Sequence, residues 1–282
     1  MPTMEITTMI GCPVMCTYCP QEVLRKRMVD EIKYLSFGDF KNALNKIPKN
    51  VRIDFSGMCE PWANPECTDM FRYAISEGYI ISIYTTLYGM SIDDAHDVIG
   101  IIRSHPLQIA DLVIHLQDKN NNMKGLKLTN SWMDVANEFV DLYNLQIIKG
   151  MRFMTMDSEG SLHPALENLS SIVPKFFGIS RAGTLVEAQV GGQVIFTKSK
   201  IPSRIKCSFT TYYDHNVLLP NGEVLLCCMD YGKKHVIGNL FEETYYELFL
   251  SKSLSDLRLG NMHPDSMRFS ICRSRERAVE AN

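Results

Sequence analysis

No stretch of the 282-residue chain approaches the ~20 consecutive apolar residues of a membrane-spanning helix. Its opening Met1-Pro2-Thr3-Met4-Glu5 lacks the basic and apolar regions of a secretory signal. A cytoplasmic protein without membrane contact is therefore expected. A large excess of one charge is also missing. The 29 Lys and Arg stand against 32 Asp and Glu, and a net charge of −3 gives no broad electrostatic reason to bind DNA or RNA. No flavin or nicotinamide fingerprint is visible, so redox chemistry would need another cofactor. No internal repeat, low-complexity tract or long linker divides the chain. Cysteine, by contrast, is plentiful: nine in a chain expected to be cytosolic, an odd number, argue against a closed disulfide framework and for metal binding. The sixteen methionines read as filler of irregular core gaps.

With 45% hydrophobic residues the chain can bury a large core. From residue 5 to about residue 156, short apolar runs alternate with amphipathic stretches, the pattern of repeated βα units and a mostly parallel sheet. Strands are expected at 5–10, 51–55, 79–85, 111–116 and 151–156, and helices at 37–46, 65–77, 91–103 and 130–143. Ser36 supplies an N-cap, Asn64-Pro65 an opening and Gly78 a stop. A helix at 164–172 and a sixth strand at 176–179 complete six units, short of the eight of a closed barrel. The fold class is α/β, a partial (β/α)6 array over residues 1–184 with a smaller extension over 185–282. In the extension, β-like runs at 190–196, 216–219 and 223–226 surround the turn Pro220-Asn221-Gly222, a strong hairpin signal, and a helix follows at 245–257.

The segment Gly11-Cys12-Pro13-Val14-Met15-Cys16-Thr17-Tyr18-Cys19-Pro20 has the spacing C-x3-C-x2-C directly after the first expected strand. Soft thiolates suit iron–sulfur clusters and zinc. Three cysteines on one loop hold three irons of a cubane and leave the fourth open to a substrate. A structural zinc site wants four closed ligands. No fourth Cys or His lies close by in sequence, although Cys59 or a distant His could supply one after folding.

With an aromatic residue before its third cysteine, this segment resembles the cluster loop of the radical S-adenosylmethionine superfamily, built on a partial (β/α)6 TIM-like barrel. The resemblance implies that Cys12, Cys16 and Cys19 ligate a [4Fe–4S] cluster. That cluster binds S-adenosylmethionine and cleaves it to methionine and a 5′-deoxyadenosyl radical, which takes hydrogen from a substrate. Tyr18 matches the aromatic position against the cofactor. Phe55-Ser56-Gly57-Met58-Cys59-Glu60-Pro61 is similar to the family's Gly-Gly-Glu-Pro segment. It implies contacts from Gly57 and Glu60, the latter accepting from the methionyl amino group, with Cys59 where a glycine is usual. Thr85-Thr86-Leu87-Tyr88-Gly89 resembles a Thr-Asn-Gly turn and implies Thr85. His115-Leu116-Gln117 sits where the family often binds the ribose and implies Gln117, while His115 reads equally well as a core histidine.

Cys207, the run Gly222-Glu223-Val224-Leu225-Leu226-Cys227-Cys228, Gly238-Asn239-Leu240 and Cys272 resemble the Twitch and SPASM extensions of the same superfamily. They imply an auxiliary [4Fe–4S] cluster on Cys207, Cys227 and Cys272. Arg275 stands where a fourth cysteine is usual. In an extended strand neighbouring side chains face opposite ways, so Cys228 is not expected to join Cys227, and the fourth iron is expected to lack a thiolate. Ser180-Arg181-Ala182-Gly183 is similar to an Arg-Gly-Gly segment of single-Twitch members and implies that Arg181 faces the substrate. The implied activity is a dehydrogenase-like oxidation of a small polar molecule such as a sugar or aminocyclitol, with a flavodoxin or ferredoxin as electron donor. Modification of a ribosomally made peptide or protein is the alternative. A non-catalytic zinc module leaves Glu60 unexplained.

Overall fold

The computed structural model describes residues 1–28, 33–157, 159–174, 203–263, 270–274 and 278–281. Five strands pair in parallel: β1 (Thr3–Ile6), β2 (Arg52–Phe55), β3 (Ile81–Thr85), β4 (Ile109–His115) and β5 (Met151–Met154). All five were expected, with different ends. β1 ends at Ile6, and the next two hydroxyls tie the chain to the loop after β2. Thr7 Oγ1 accepts from Met58 N–H at 3.1 Å, and Thr8 Oγ1 donates to Pro61 O at 2.9 Å.

The connecting helices are α1 (Gln21–Arg25), α2 (Phe37–Leu44), α3 (Cys67–Ser76), α4 (Ile92–Ser104) and α5 (Asn130–Asn144). Their starts follow from local chemistry: Ser36 accepts from Asp39 N–H, Ser91 and Asp94 form a capping box, and Thr129 accepts from Trp132 N–H. The helix expected at 164–172 is a 3₁₀ helix, Pro164–Ile172. The expected strands at 176–179 and 190–196 and the boundary at 184/185 lie outside the described residues.

Register shows why the sheet has two unlike faces. Glu5 is paired with Asp54, and Asp54 with Ser82, so these side chains project to one side; Tyr84, His115 and Arg152 follow on that side. The opposite side carries Met4, Ile6, Ile53, Phe55, Ile83 and Ile114, which share one core with helix residues such as Phe40, Phe71, Val98 and Phe139. Phe55 anchors that core, with ring centroids 6.0 Å from Phe40, 5.9 Å from Phe71 and 6.4 Å from Trp62.

The C-terminal part contains β6 (Ile205–Cys207), β7 (His215–Leu218), β8 (Glu223–Leu225), β9 (Val236–Asn239), α6 (Lys252–Met262) and β10 (Ala278–Glu280). The expected hairpin exists as β7–β8, and it packs against the first part by joining its sheet. β7 pairs in parallel with β1, giving the order β5-β4-β3-β2-β1-β7-β8-β9. All four residues of β1 are buried, and the second edge of so enclosed a strand must find backbone partners. The single helix expected at 245–257 is divided into a 3₁₀ turn, Glu247–Leu250, and α6. Ser251 breaks it by adopting an extended backbone and capping Leu254 N–H. Among the described residues no helix is long and apolar enough to cross a membrane.

Phe55→Ala is expected to lower unfolding stability by about 3–5 kcal/mol, the usual cost of removing a buried aromatic ring. Leu107→Ala, at a position 93% exposed, should stay within about 0.5 kcal/mol. Chemical denaturation of both variants checks the pair.

Candidate active site

The cysteine loop leaves the C-terminal end of β1 and is braced by residues 118–126. Thr17 N–H donates to Asn122 O at 2.8 Å, Gly125 N–H to Val14 O at 2.8 Å, and Cys16 forms a bridge with Met123. Asp118 shapes the brace by accepting from the backbone of Asn120 at 2.9 Å and of Asn122 at 3.1 Å. Gln117, expected at a ribose, is employed here instead. Its amide donates to Met123 O at 2.9 Å and accepts from Met123 N–H at 3.1 Å, and it lines neither cavity described below. Gly125 is required by proximity, since a Cβ there would lie 1.9 Å from Pro13 O.

Cys12, Cys16, Cys19, Tyr18, Gly57, Glu60 and Thr85 line one cavity of about 130 Å³, so seven expected residues converge. Gly57 has φ +54°, and a Cβ would meet Thr7 Oγ1 at 2.5 Å, which excludes other residues from this close approach to β1. Glu60, buried, is held by the end of β3: Thr85 Oγ1 donates to it at 2.5 Å, Thr86 N–H at 2.7 Å and Thr86 Oγ1 at 2.8 Å. Trp132 on α5 secures Thr86 in turn by donating to its carbonyl at 3.0 Å. Burial pushes the Glu60 carboxyl up to about 7 against the pull of these hydrogen bonds. Burial also raises the Cys12 thiol, and Cys59 beside it adds to the rise. Cys59 lines the same cavity, its Sγ 3.3 Å from Thr8 Oγ1.

A second cavity, about 520 Å³, lies against the polar face of the sheet and shares Ser56, Gly57, Tyr84, His115 and Met156 with the first. Cys207, Cys227 and Cys272 line it, and so does Cys228. The reason is local: β8 ends at Leu225, and Cys227 starts a turn in which Asp230 N–H donates to Cys227 O at 3.0 Å. The alternation expected of an extended strand therefore does not separate Cys227 from Cys228. The floor holds the Arg52–Asp54 ion pair at 2.7 Å and a His215–Glu5 hydrogen bond at 2.7 Å. Arg181, the expected substrate contact, lies outside the described residues.

Residues 207–274 match SPASM, an iron–sulfur cluster-binding domain, a span that begins at Cys207 and includes Cys272. No curated protein matches the chain. Among solved structures, BtrN in complex with AdoMet and 2-DOIA aligns over 98% of this chain and 92% of its own, with 14% identity and a TM-score of 0.61. The structure of anSMEcpe with bound AdoMet aligns over 93% and 80%, with 12% identity and a TM-score of 0.53. That protein with AdoMet and the Cp18Cys peptide aligns over 90% and 81%, with 13% identity and a TM-score of 0.49.

The chain shares its fold with these AdoMet-bound structures and carries a SPASM match in its C-terminal part. At these identities the likeness to solved structures is one of fold. The donor set of a radical S-adenosylmethionine site fits what the first cavity offers. Two hydrogen-bond donors reach its cysteine sulfurs, Glu60 N–H to Cys12 at 3.3 Å and Gln21 Nε2 to Cys19 at 3.5 Å, and Tyr231 Oη lies 3.4 Å from Cys19 Sγ, where either atom can donate. Such donors suit iron-bound thiolates, which only accept. Among the described residues, no three His, Cys, Asp or Glu side chains gather as they would around a single metal ion. A cubane sets its three thiolates on three different irons. Sequence reasoning missed Ser56, Tyr84, Thr86 and Tyr231. The polar–apolar alternation of β2 and β3 signals Ser56 and Tyr84, and Thr86 adjoins a residue already chosen. Nothing local marks Tyr231.

Gly125→Ala is expected to displace the cysteine loop and to reduce the iron retained after anaerobic reconstitution several-fold. Gly100→Ala in α4, where a Cβ meets nothing within 4 Å, should retain wild-type iron and gain up to about 1 kcal/mol of helix stability. Iron assay and thermal unfolding of the two variants provide the comparison.

Proposed function

We propose that the chain is a radical S-adenosylmethionine oxidoreductase acting on a small polar molecule such as a sugar or aminocyclitol. In this reading Cys12, Cys16 and Cys19 hold the [4Fe–4S] cluster that binds S-adenosylmethionine, and Cys207, Cys227 and Cys272 hold an auxiliary cluster. Residues 1–184 would form the barrel-like part and 185–282 the SPASM-like part, with a flavodoxin or ferredoxin delivering electrons. The observation that carries the reading is the junction of two cysteine-lined cavities through five shared residues. The bound groups would supply reductive cleavage of S-adenosylmethionine and hydrogen-atom abstraction.

The chain's own residues supply orientation. Glu60 offers a carboxylate to the methionyl amino group, Tyr18 backs the cofactor, and the loop at Gly57 allows close approach. The carbon–hydrogen bond to be broken belongs at the junction, beside Tyr84, His115 and Met156. Beyond it, the charges of Glu5, Arg52, Asp54 and His215 line the larger cavity, where substrate hydroxyl or amino groups can join their hydrogen bonds. These groups offer a polyol hydrogen-bond partners on a wall that also carries apolar side chains such as Met154, Met156, Phe209 and Leu226. Arg181 is retained as a further substrate contact.

Reduced anaerobic protein is expected to convert S-adenosylmethionine to 5′-deoxyadenosine, and Cys12→Ala, Cys16→Ala or Cys19→Ala to abolish it. Undiminished cleavage in these variants contradicts the cluster assignment. For the substrate class, deuterium should pass from perdeuterated polyols or aminocyclitols into 5′-deoxyadenosine. Transfer from a deuterated peptide alone contradicts the small-molecule reading.

A further inference from the structure

Among the described residues of the C-terminal part, Tyr231 is the one that lines the first cavity. Tyr231 Oη lies 3.4 Å from Cys19 Sγ, across 212 positions of sequence. The ring is 4% exposed and packs in a small apolar cluster with Ile10, Leu24, Met28, Met58 and Val217, against which Cys19 and Cys228 also pack.

Tyr231 is not delivered by a loose loop. It follows the Cys227–Cys228 turn, where Asp230 N–H bonds Cys227 O and Lys233 N–H bonds Asp230 O at 3.1 Å. The buried Asp230 carboxylate accepts from Lys234 N–H at 2.9 Å and His235 N–H at 2.7 Å, fixing the turn that aims the tyrosine. The residues that line the second cavity and the residue that touches the first site therefore share one rigid turn.

We infer that Tyr231 is a positioning residue that donates a hydrogen bond to the Cys19 thiolate and so ties the reducibility of the first cluster to the C-terminal cysteine turn. This rests on the reading that Cys19 holds a cluster iron. A thiolate on iron has no proton to give, so the phenol O–H must be the donor. A hydrogen bond to a cluster sulfur stabilises the more negative, reduced state and raises the potential. Gln21 also approaches Cys19 at 3.5 Å, using the amide proton not given to Met58 O, and this donor stays in place when Tyr231 is changed.

The test is Tyr231→Phe, which keeps the buried ring and deletes only the donor. The cluster that answers to S-adenosylmethionine is identified in holoenzyme by the change of its electron paramagnetic resonance signal when that compound is added, and its midpoint potential is measured by redox titration. The variant should hold wild-type iron but be about tenfold harder to reduce, about 59 mV lower for one electron. Electron–nuclear double resonance in D₂O should show one exchangeable hydrogen fewer at that cluster. An unchanged potential with an unchanged exchangeable-hydrogen pattern overturns the role of Tyr231 while leaving the cluster assignment standing. Absence of any S-adenosylmethionine-responsive cluster in the wild type overturns the assignment, and the inference with it.

Discussion

A parallel sheet that turns charged side chains away from its helices must pair those charges, because an isolated buried ion is costly. Here Glu5 pairs with His215 and Arg52 with Asp54. Burial still pushes the Asp54 carboxyl up to about 6, with Arg52 pulling the other way. Removing one partner of such a pair typically costs about 3–5 kcal/mol, so the polar face is a constraint on the whole architecture. Glu5 comes from β1 and His215 from β7, which makes the pair a bond between the first strand and the C-terminal segment. The same seam brings the SPASM-matched cysteines to the polar face. With charges on its floor, that face borders a cavity in place of a second closed hydrophobic core.

The two cavities follow from this division. Loops leaving the C-terminal ends of β1, β2 and β3 place Cys12, Gly57, Glu60 and Thr85 together, the end at which βα arrays gather their sites. The larger cavity begins where those loops meet the charged strands. The two cavities meet at Ser56, Gly57, Tyr84, His115 and Met156.

Local chemistry was the most legible part of the sequence. The cysteine loop could be read because its spacing lies within eight residues, and the Ser36 cap because a cap is a contact three residues long. Glu60 and Thr85 were both singled out, but not their mutual hydrogen bond, which depends on the β2–β3 register. The pairing of β7 with β1 was invisible because nothing in a hairpin's sequence names the third strand it joins. Gln117 went to a backbone brace rather than a cavity because residues 118–126 fold back on the cysteine loop. Cys228 was set apart from Cys227 by an alternation rule that stopped applying two residues earlier, where β8 ended. The charged floor was within reach: Arg52-Ile53-Asp54-Phe55-Ser56 and Ser82-Ile83-Tyr84 alternate plainly, but the residues singled out lay at the strand ends, and those inside the strands were passed over.

The central claim is that the first cysteine loop holds a cubane with one iron open to S-adenosylmethionine. Mössbauer spectroscopy of anaerobically reconstituted protein, before and after adding that compound, addresses it most directly. Two cubanes, about eight irons per chain, are predicted, with one iron changing its isomer shift on addition. Zinc in place of iron and sulfide, or a spectrum that does not respond, would contradict the account.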